Sequence, residues 1–190
     1  MKNNILMSVL LTASLSAALP LSAASHVDVV KMRTENRVNP LGIGTSTPRF
    51  SWQITSDRKG VVQTSYQILV ASSREKLDRN EADLWDSGER NSDEQLWIPY
   101  QGKALLSGAQ AYWKVRITTN KGKSEWTEPQ LFSIGLLGET KWSGTWIGLE
   151  DLQPGEQKGM HTRLAARYIR KDFAAKGKVK RAVAYVAGLG

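Results

Sequence analysis

The chain has 190 residues, a formal net charge of +8 and no cysteine. Without cysteine it forms no disulfide, so its stability has to come from its hydrophobic core. The positive charge is uneven: residues 157–181 hold nine Lys or Arg and one acid, whereas residues 25–156 hold 16 basic and 17 acidic residues. Because the basic residues at the end alternate with apolar ones, they are typical of a solvated sheet face, and we expect no nucleic acid partner.

The first residues predict a secretory signal peptide. Lys2 precedes an apolar run from Ile5 to Leu21, and small residues follow, which places cleavage between Ala24 and Ser25. A membrane anchor is the alternative, but the run is rich in small and hydroxyl residues. No second apolar stretch is long enough to span a membrane. We therefore expect a secreted or periplasmic protein with no membrane partner and a signal peptide at residues 1–24.

The next part of the chain, residues 25–136, predicts an all-β fold. One short helix is expected at Ser73–Leu77, capped by Ser72 or Ser73. Short runs of β-branched and aromatic residues between turn residues predict strands at Val27–Thr34, Arg49–Thr55, Ser65–Ala71, Leu84–Ser87, Gln95–Pro99, Tyr112–Thr119 and Gln130–Gly135. Seven such strands are typical of an immunoglobulin-like, fibronectin type III-like β-sandwich.

Alternation is clearest from residue 112 onward. Polar side chains share one face of the strand, and the opposite, core face carries Trp113, Val115 and Ile117. Asn120-Lys121-Gly122 predicts a hairpin turn in which Gly122 adopts a positive φ.

Seven tryptophans allow two interpretations, filling of the core or a carbohydrate-binding surface. The strand alternation places Trp52, Trp113 and Trp126 in the core. Trp85 and Trp97 flank the loop at Gly88–Asp93 and are the better candidates for a surface. We expect Trp142 and Trp146 to pin a linker against a neighbouring domain.

That linker, residues 137–160, is rich in glycine and precedes a second β unit at residues 161–190. Further strands are predicted at Trp146–Leu149, Ala166–Phe173 and Val179–Ala187. Three short strands do not bury a face by themselves. The expectation is an incomplete second β-sandwich, at which the sequence stops.

Few residues suggest chemistry. The two histidines, His26 and His161, lie far apart, and neither HExxH nor Gly-x-Ser-x-Gly occurs. Gly42–Gly44 and Gly188–Gly190 are typical of turns rather than of a dinucleotide site. A cluster of acids is more typical of solvated loops than of a glycosidase pair or a calcium site: Asp83, Asp86, Glu89, Asp93 and Glu94. We therefore predict no catalytic, cofactor-binding or metal-binding residue, and no cofactor.

Several segments, in order, carry a resemblance to a known family. They are "NPLGIGTSTPRFSWQI", "QTSYQILVASS", "ADLWDSGER", "YWKVRITTNKGKSEWTEPQLFSIGLL", "WSGTWIG", "ARYIRKDF" and "VKRAVAYVAGLG". Together they resemble the N-terminal region of bacterial α-L-rhamnosidases of glycoside hydrolase family 78. The resemblance covers nearly all of residues 27–190.

The resemblance implies a fibronectin type III-like domain followed by the start of the next β-sandwich. In that family the catalytic carboxylates lie in a distant (α/α) barrel, so no catalytic residue is carried over. The expected function is the non-catalytic N-terminal portion of an exported α-L-rhamnosidase, and the 190-residue chain alone is predicted to be inactive. Its expected partners are the remaining domains of the enzyme and a rhamnose-containing glycan. The alternative is a free-standing secreted module that binds carbohydrate or protein.

Overall fold

The computed structural model describes residues 27–138, 142–148, 154–157, 159 and 167–188. The chain divides into two compact units, Met1–Lys141 and Trp142–Gly190. The predicted signal peptide, His26 and His161 lie outside the described residues. The limits predicted for the signal peptide, the linker and the second β unit stay predictions.

The first unit is a β-sandwich with one short helix. Its elements are β1 (Val27–Thr34), β2 (Arg49–Ser56), β3 (Gln63–Ala71), α1 (Arg74–Asp78), β4 (Trp85–Asp86), β5 (Arg90–Asn91), β6 (Ile98–Pro99), β7 (Gln110–Thr119), β8 (Gly122–Lys123) and β9 (Gln130–Ser133). The first sheet has the order β1-β2-β6, and the second has β4-β3-β7-β8, with β5 also on β3 and β9 on β7. All these pairs are antiparallel. The predicted all-β, immunoglobulin-like class is therefore confirmed.

Aromatic rings fill the space between the two sheets. Phe50 lies at the centre, with the ring of Trp113 at 4.4 Å and that of Phe132 at 5.8 Å between centroids. Trp52 is buried as well, and its indole N–H donates to Gln63 at 3.0 Å. Trp52 and Trp113 are thus core residues, as the alternation predicts.

Trp85 is also a core residue, and its prediction as a surface residue is wrong. In β4 it pairs with Val70 of the central strand β3. Its ring stacks on Phe50 at 6.3 Å and meets Tyr100 edge-on at 5.4 Å. The inward direction follows from pairing with a buried strand, which the two-residue β4 does not reveal by its own alternation.

The predicted hairpin is present, with an irregular return. Thr119 pairs with Gly122 around Asn120 and Lys121, and Gly122 has φ 133° as predicted. Beyond β8, the backbone N–H of Ser124 donates to Ile117 and that of Thr127 donates to Val115. The hydroxyl oxygens of these two residues accept from the N–H groups of the same two partners, both at 3.0 Å.

This return contains a β-bulge, because between these two bonded pairs one residue of β7, Arg116, faces two residues of the returning segment, Glu125 and Trp126. The extra residue reverses the alternation before Trp126. The side chain of Trp126 lies on the outer face of the second sheet, partly exposed. The prediction that Trp126 is a core residue is therefore wrong.

Helix α1 covers part of the outer face of the second sheet. The Ser73 hydroxyl caps it by accepting from the Lys76 N–H, in line with one of the two predicted caps. Leu77 is fully buried against Leu69 and Ala71 of β3. The helix thus builds a small second core outside the main one.

The second unit contains no strand among its described residues. The strands predicted at Ala166–Phe173 and Val179–Ala187 are absent where these segments are described, and the side chains of Tyr168 and Phe173 are exposed. Residues 146–148 are also not a strand, and Leu149 lies outside the described residues. A strand needs a hydrogen-bonded neighbour, and the described residues of this unit provide none. Among the described residues of the whole chain, no helix could cross a bilayer.

Candidate functional site

The acidic cluster found in the sequence is dispersed. Asp83 accepts from Ser72 and pairs with Lys76 at 2.6 Å. Glu89 accepts from the hydroxyl of Ser65 at 2.7 Å, on the outer face of the second sheet. The described residues hold no group of three His, Asp or Glu that could bind a metal ion. These carboxylates join neighbouring loops and strands.

Asp83 is the most strongly perturbed of them. Burial opposes its ionisation, but the Lys76 ammonium and the hydrogen bonds from Ser72 outweigh burial and lower the pKa of Asp83 to about 2. Asp83 therefore remains charged at any physiological pH and ties the start of α1 to the loop before β4.

Trp97 stands out on the outer face of the first sheet. It directly precedes β6, and its backbone N–H donates to the buried Ser51 hydroxyl at 3.0 Å. Trp97 is 41% exposed and has φ 59°, in the left-handed region. A bulky residue in that region costs about 1–3 kcal/mol. The same φ interrupts the extended backbone, so β6 begins at Ile98 rather than at the predicted Gln95.

A charged pair supports the Trp97 ring. The guanidinium of Arg49 lies over the ring, 4.2 Å from its centroid. Glu35 accepts two hydrogen bonds from this guanidinium, at 3.1 and 2.8 Å, and one from the Arg49 backbone N–H at 2.8 Å. Hydrogen bonding to Arg49 lowers the pKa of Glu35, although burial acts in the opposite direction. The carboxylate thus holds the cation in place against the indole.

A polar cleft is formed by the segment that leads into Trp97 and by the neighbouring part of β2. It has a volume of about 550 Å³ and is lined by Trp52, Gln53, Asp93, Glu94, Gln95 and Leu96. Leu96 is exposed and adjoins Trp97 in the chain. We use the name Trp97 surface for this whole region. It consists of the ring of Trp97, the Arg49–Glu35 pair that supports the ring, the side chain of Leu96, and the cleft. It combines an exposed apolar plane with amide and carboxylate groups.

The outer face of the second sheet holds a different cluster. Lys114 lies on the polar face of β7, but its side chain is buried under α1. Its ammonium donates to the Leu77 carbonyl and to Asn80 Oδ1, and lies 5.1 Å from the ring centroid of Trp126. Burial lowers the pKa of Lys114. This cluster closes the end of a helix and leaves little of its surface open.

The predicted surface tryptophans thus have different outcomes. Trp97 is on the surface, and Trp85 is not. Trp142 and Trp146 are exposed in the second unit, where they line a cavity of about 290 Å³ with Gly144, Thr145 and Ala187. Their predicted contact with a neighbouring domain stays a prediction. The pairing of Glu35 with Arg49 had no signal in the sequence, because the two residues are 14 positions apart and the register of β1 and β2 brings them together.

Two antiparallel sheets packed around an aromatic core define an immunoglobulin-like domain. Residues 29–138 match the family described as Rha78A-like, N-terminal immunoglobulin domain. The chain belongs to this family, which confirms the resemblance found in the sequence.

Similar proteins are much longer than this chain. An α-L-rhamnosidase of Formosa agariphila is 34% identical over 181 residues, which cover 87% of this chain and 19% of that protein. An α-L-rhamnosidase of Alteromonas sp. (strain LOR) is 35% identical over 158 residues, 82% of this chain and 17% of that protein. The crystal structure of Streptomyces avermitilis α-L-rhamnosidase complexed with L-rhamnose matches with a TM-score of 0.61 and 36% identity, over 65% of this chain and 12% of that one. The chain thus spans less than a fifth of the length of these relatives.

Proposed function

We propose that this chain is the non-catalytic N-terminal portion of an exported α-L-rhamnosidase of glycoside hydrolase family 78. One observation carries the proposal: the sandwich at residues 29–138 is of the rhamnosidase N-terminal type, and the curated relatives that share it are α-L-rhamnosidases. In this proposal the whole enzyme removes terminal α-L-rhamnosyl residues with inversion. One carboxylic acid protonates the leaving oxygen and another carboxylate activates water.

The carboxylates of the sandwich support a non-catalytic role for it. Asp83 and Glu89 are engaged by hydroxyl groups and a lysine. An inverting pair needs a general acid of raised pKa opposite a base. The pKa values of Asp83 and Glu89 are instead lowered, which suits permanent ionic contacts.

The proposal includes export and two kinds of partner. Cleavage after Ala24 would release a secreted or periplasmic protein that begins at Ser25. Its partners would be the remaining domains of the enzyme and a rhamnose-containing glycan. Intact-mass measurement on exported material tests the first part, and a mature chain that still carries Met1 would contradict it.

The decisive experiment compares two proteins. One is the 190-residue chain, and the other is the product of the same reading frame followed past Gly190. We expect the longer protein to hydrolyse an aryl α-L-rhamnoside and the 190-residue chain not to. A stop codon directly after Gly190 would instead favour the free-standing binding module. Turnover by the 190-residue chain that survives repurification would contradict its non-catalytic role.

A further inference from the structure

We propose that the Trp97 surface is a binding site for a neutral pyranose ring of a rhamnose-containing glycan. The sugar stacks its C–H face on the indole of Trp97, and its hydroxyls bond to the amides and carboxylates of the adjoining cleft. The assignment of the sugar rests on the function proposed above. The site itself rests on the geometry of the first sheet.

The backbone of Trp97 is the first argument. Glycine is the residue that occupies φ 59° without strain, yet the chain places its largest side chain there. The conformation is held from both sides. Trp97 donates to Ser51, and the next residue, Ile98, pairs with Phe50 in β2. Strain maintained at an exposed aromatic residue points to a use of its ring outside the fold.

The ring is also fixed before any ligand arrives. Arg49 lies over it at 4.2 Å, and Glu35 holds the guanidinium with two hydrogen bonds. Because the cation covers one face, the exposed fraction of the indole lies on the opposite face and the edges. A ring already ordered in this way loses little conformational entropy on binding. The arrangement therefore favours a flat ligand stacking on the open side.

The charges of the surface select the ligand class. Glu35 neutralises Arg49, and the cleft adds Asp93 and Glu94 with the amides of Gln53 and Gln95. Such a surface repels a phosphate or a polyanion. It offers many acceptors and several amide donors, which match the hydroxyls of a neutral sugar. Leu96 is exposed at the cleft and offers an apolar side chain that suits the methyl group of a 6-deoxy sugar.

The same chemistry argues against a protein partner. The centre of a protein interface is depleted in charged residues and closed to water. Here two acids and two glutamines line an open cleft that also includes Leu96, the residue before Trp97. Alternating apolar and hydroxyl-bonding groups across a short distance fit a sugar ring, which has an apolar face and polar edges.

The test titrates the 190-residue chain with methyl α-L-rhamnoside and with a neutral rhamnan oligosaccharide. Binding is followed by calorimetry and by the shifts of the indole N–H signals in two-dimensional NMR. Trp97→Gly removes the ring and relieves the backbone, Trp97→Phe keeps an aromatic face, and Trp126→Phe is the matched control at the other Trp–Arg stack. Urea midpoints verify that each variant is folded.

We expect the oligosaccharide to shift the Trp97 indole signal. Trp97→Gly should weaken binding by at least about tenfold, as truncation of a stacked tryptophan typically does. Trp97→Phe should recover part of the affinity, and Trp126→Phe should bind like the parent chain. An unshifted Trp97 signal at saturating sugar, or wild-type affinity in Trp97→Gly, would overturn the site.

The rhamnosidase assignment can fail separately. If the longer protein hydrolyses rhamnosides but the sugars do not shift the Trp97 indole signal, the proposed site is wrong and the proposed function stands. If the longer protein is inactive while a different neutral glycan shifts Trp97, the function is wrong and the site stands without rhamnose. Titration of the chain with the separately expressed remainder of the protein covers the other class of partner. If the remainder of the protein shifts the Trp97 signal and the sugars do not, the Trp97 surface binds another domain and not a glycan.

Discussion

Each outer face of the sandwich carries a tryptophan ring stacked with an arginine, but the two stacks have different surroundings. On the second sheet, Arg116 lies 4.4 Å from the Trp126 ring centroid, with Lys114 on the same ring. Helix α1 and its buried Leu77 cover part of that face. On the first sheet, Arg49 lies 4.2 Å from the Trp97 ring centroid, no helix of the described part of the first unit packs on this stack, and the backbone is strained. One stack therefore serves stability, and the other keeps its aromatic ring accessible.

The largest change in the free energy of unfolding is expected in the core between the two faces. Trp113 is fully buried against Phe50, so we expect Trp113→Ala to lower the free energy of unfolding by roughly 3–5 kcal/mol. Urea unfolding measures this, with Trp142→Ala in the second unit as an exposed control expected within about 0.5 kcal/mol of the parent. A loss below about 1 kcal/mol for Trp113→Ala would contradict the packing between the sheets.

The next largest effect is expected on the covered face. Lys114→Met keeps the apolar stem but removes the ammonium from Asn80 Oδ1 and from the Leu77 carbonyl, which retains the backbone N–H of Asn80 as a donor. We expect a loss of roughly 1.5–3 kcal/mol in urea unfolding, the net value of hydrogen bonds donated by a charged group. Lys123→Met, on an exposed lysine of β8, is the matched control. A stability gain in Lys114→Met would mean that the cost of burying the ammonium exceeds the value of its hydrogen bonds.

Acid should weaken the covered face of the sandwich. The pKa of Asp83 is lowered from 3.8 to about 2, so its contribution is fully present above about pH 4 and is lost as the pH falls towards 2. Because the pair with Lys76 is partly exposed, we expect a contribution of about 1 kcal/mol. Urea melts of the parent and of Asp83→Asn should differ by this amount at pH 5 and converge near pH 2. A constant difference down to pH 2 would contradict the ion pair.

The smallest effect is expected on the open face. Trp97→Gly removes the stack on Arg49 but also relieves the positive φ, and glycine adds entropy to the unfolded chain. We expect these terms to cancel to within about 1 kcal/mol in urea unfolding. Trp97→Ala keeps the strain and should be less stable than Trp97→Gly. The reverse order would show that the ring of Trp97 supports the fold, and the contrast between the two faces would disappear.

The strands that carry the core could be predicted because their alternation is long. β1 begins and ends where predicted, and β7 starts two residues earlier than expected. Alternation reports burial directly when one face of a strand packs on the other sheet. The prediction failed for the last segment, since residues 179–187 are rich in β-branched and other apolar residues but form no strand in the described residues.

The sites on the outer faces depend on geometry that no local pattern encodes. Lys114 looks solvent-exposed by its position in β7, and only the crossing of α1 above it shows that it is buried. The positive φ of Trp97 violates what its residue type predicts. The contact of Glu35 with Arg49 depends on the register between β1 and β2. Each of these is a tertiary effect that overrides a correct local expectation.

The irregular segment after β7 also affects whether a second molecule can extend the sheet at this edge. On this side of β7 the chain lies in pieces of two residues (β8) and four residues (β9), separated by the bulged segment and Pro129. The outer side of β9 is itself covered by residues 40–43, where the Ile43 N–H donates to the Ser133 carbonyl and the Ser133 N–H donates to the Pro40 carbonyl. The hydroxyls of Ser124 and Thr127 accept the N–H groups of β7 along this gap. A flat, continuous edge is a template on which a second chain can extend the sheet. The interrupted edge offers no such template, so neighbouring molecules at high concentration meet a surface that resists polymerisation through this sheet.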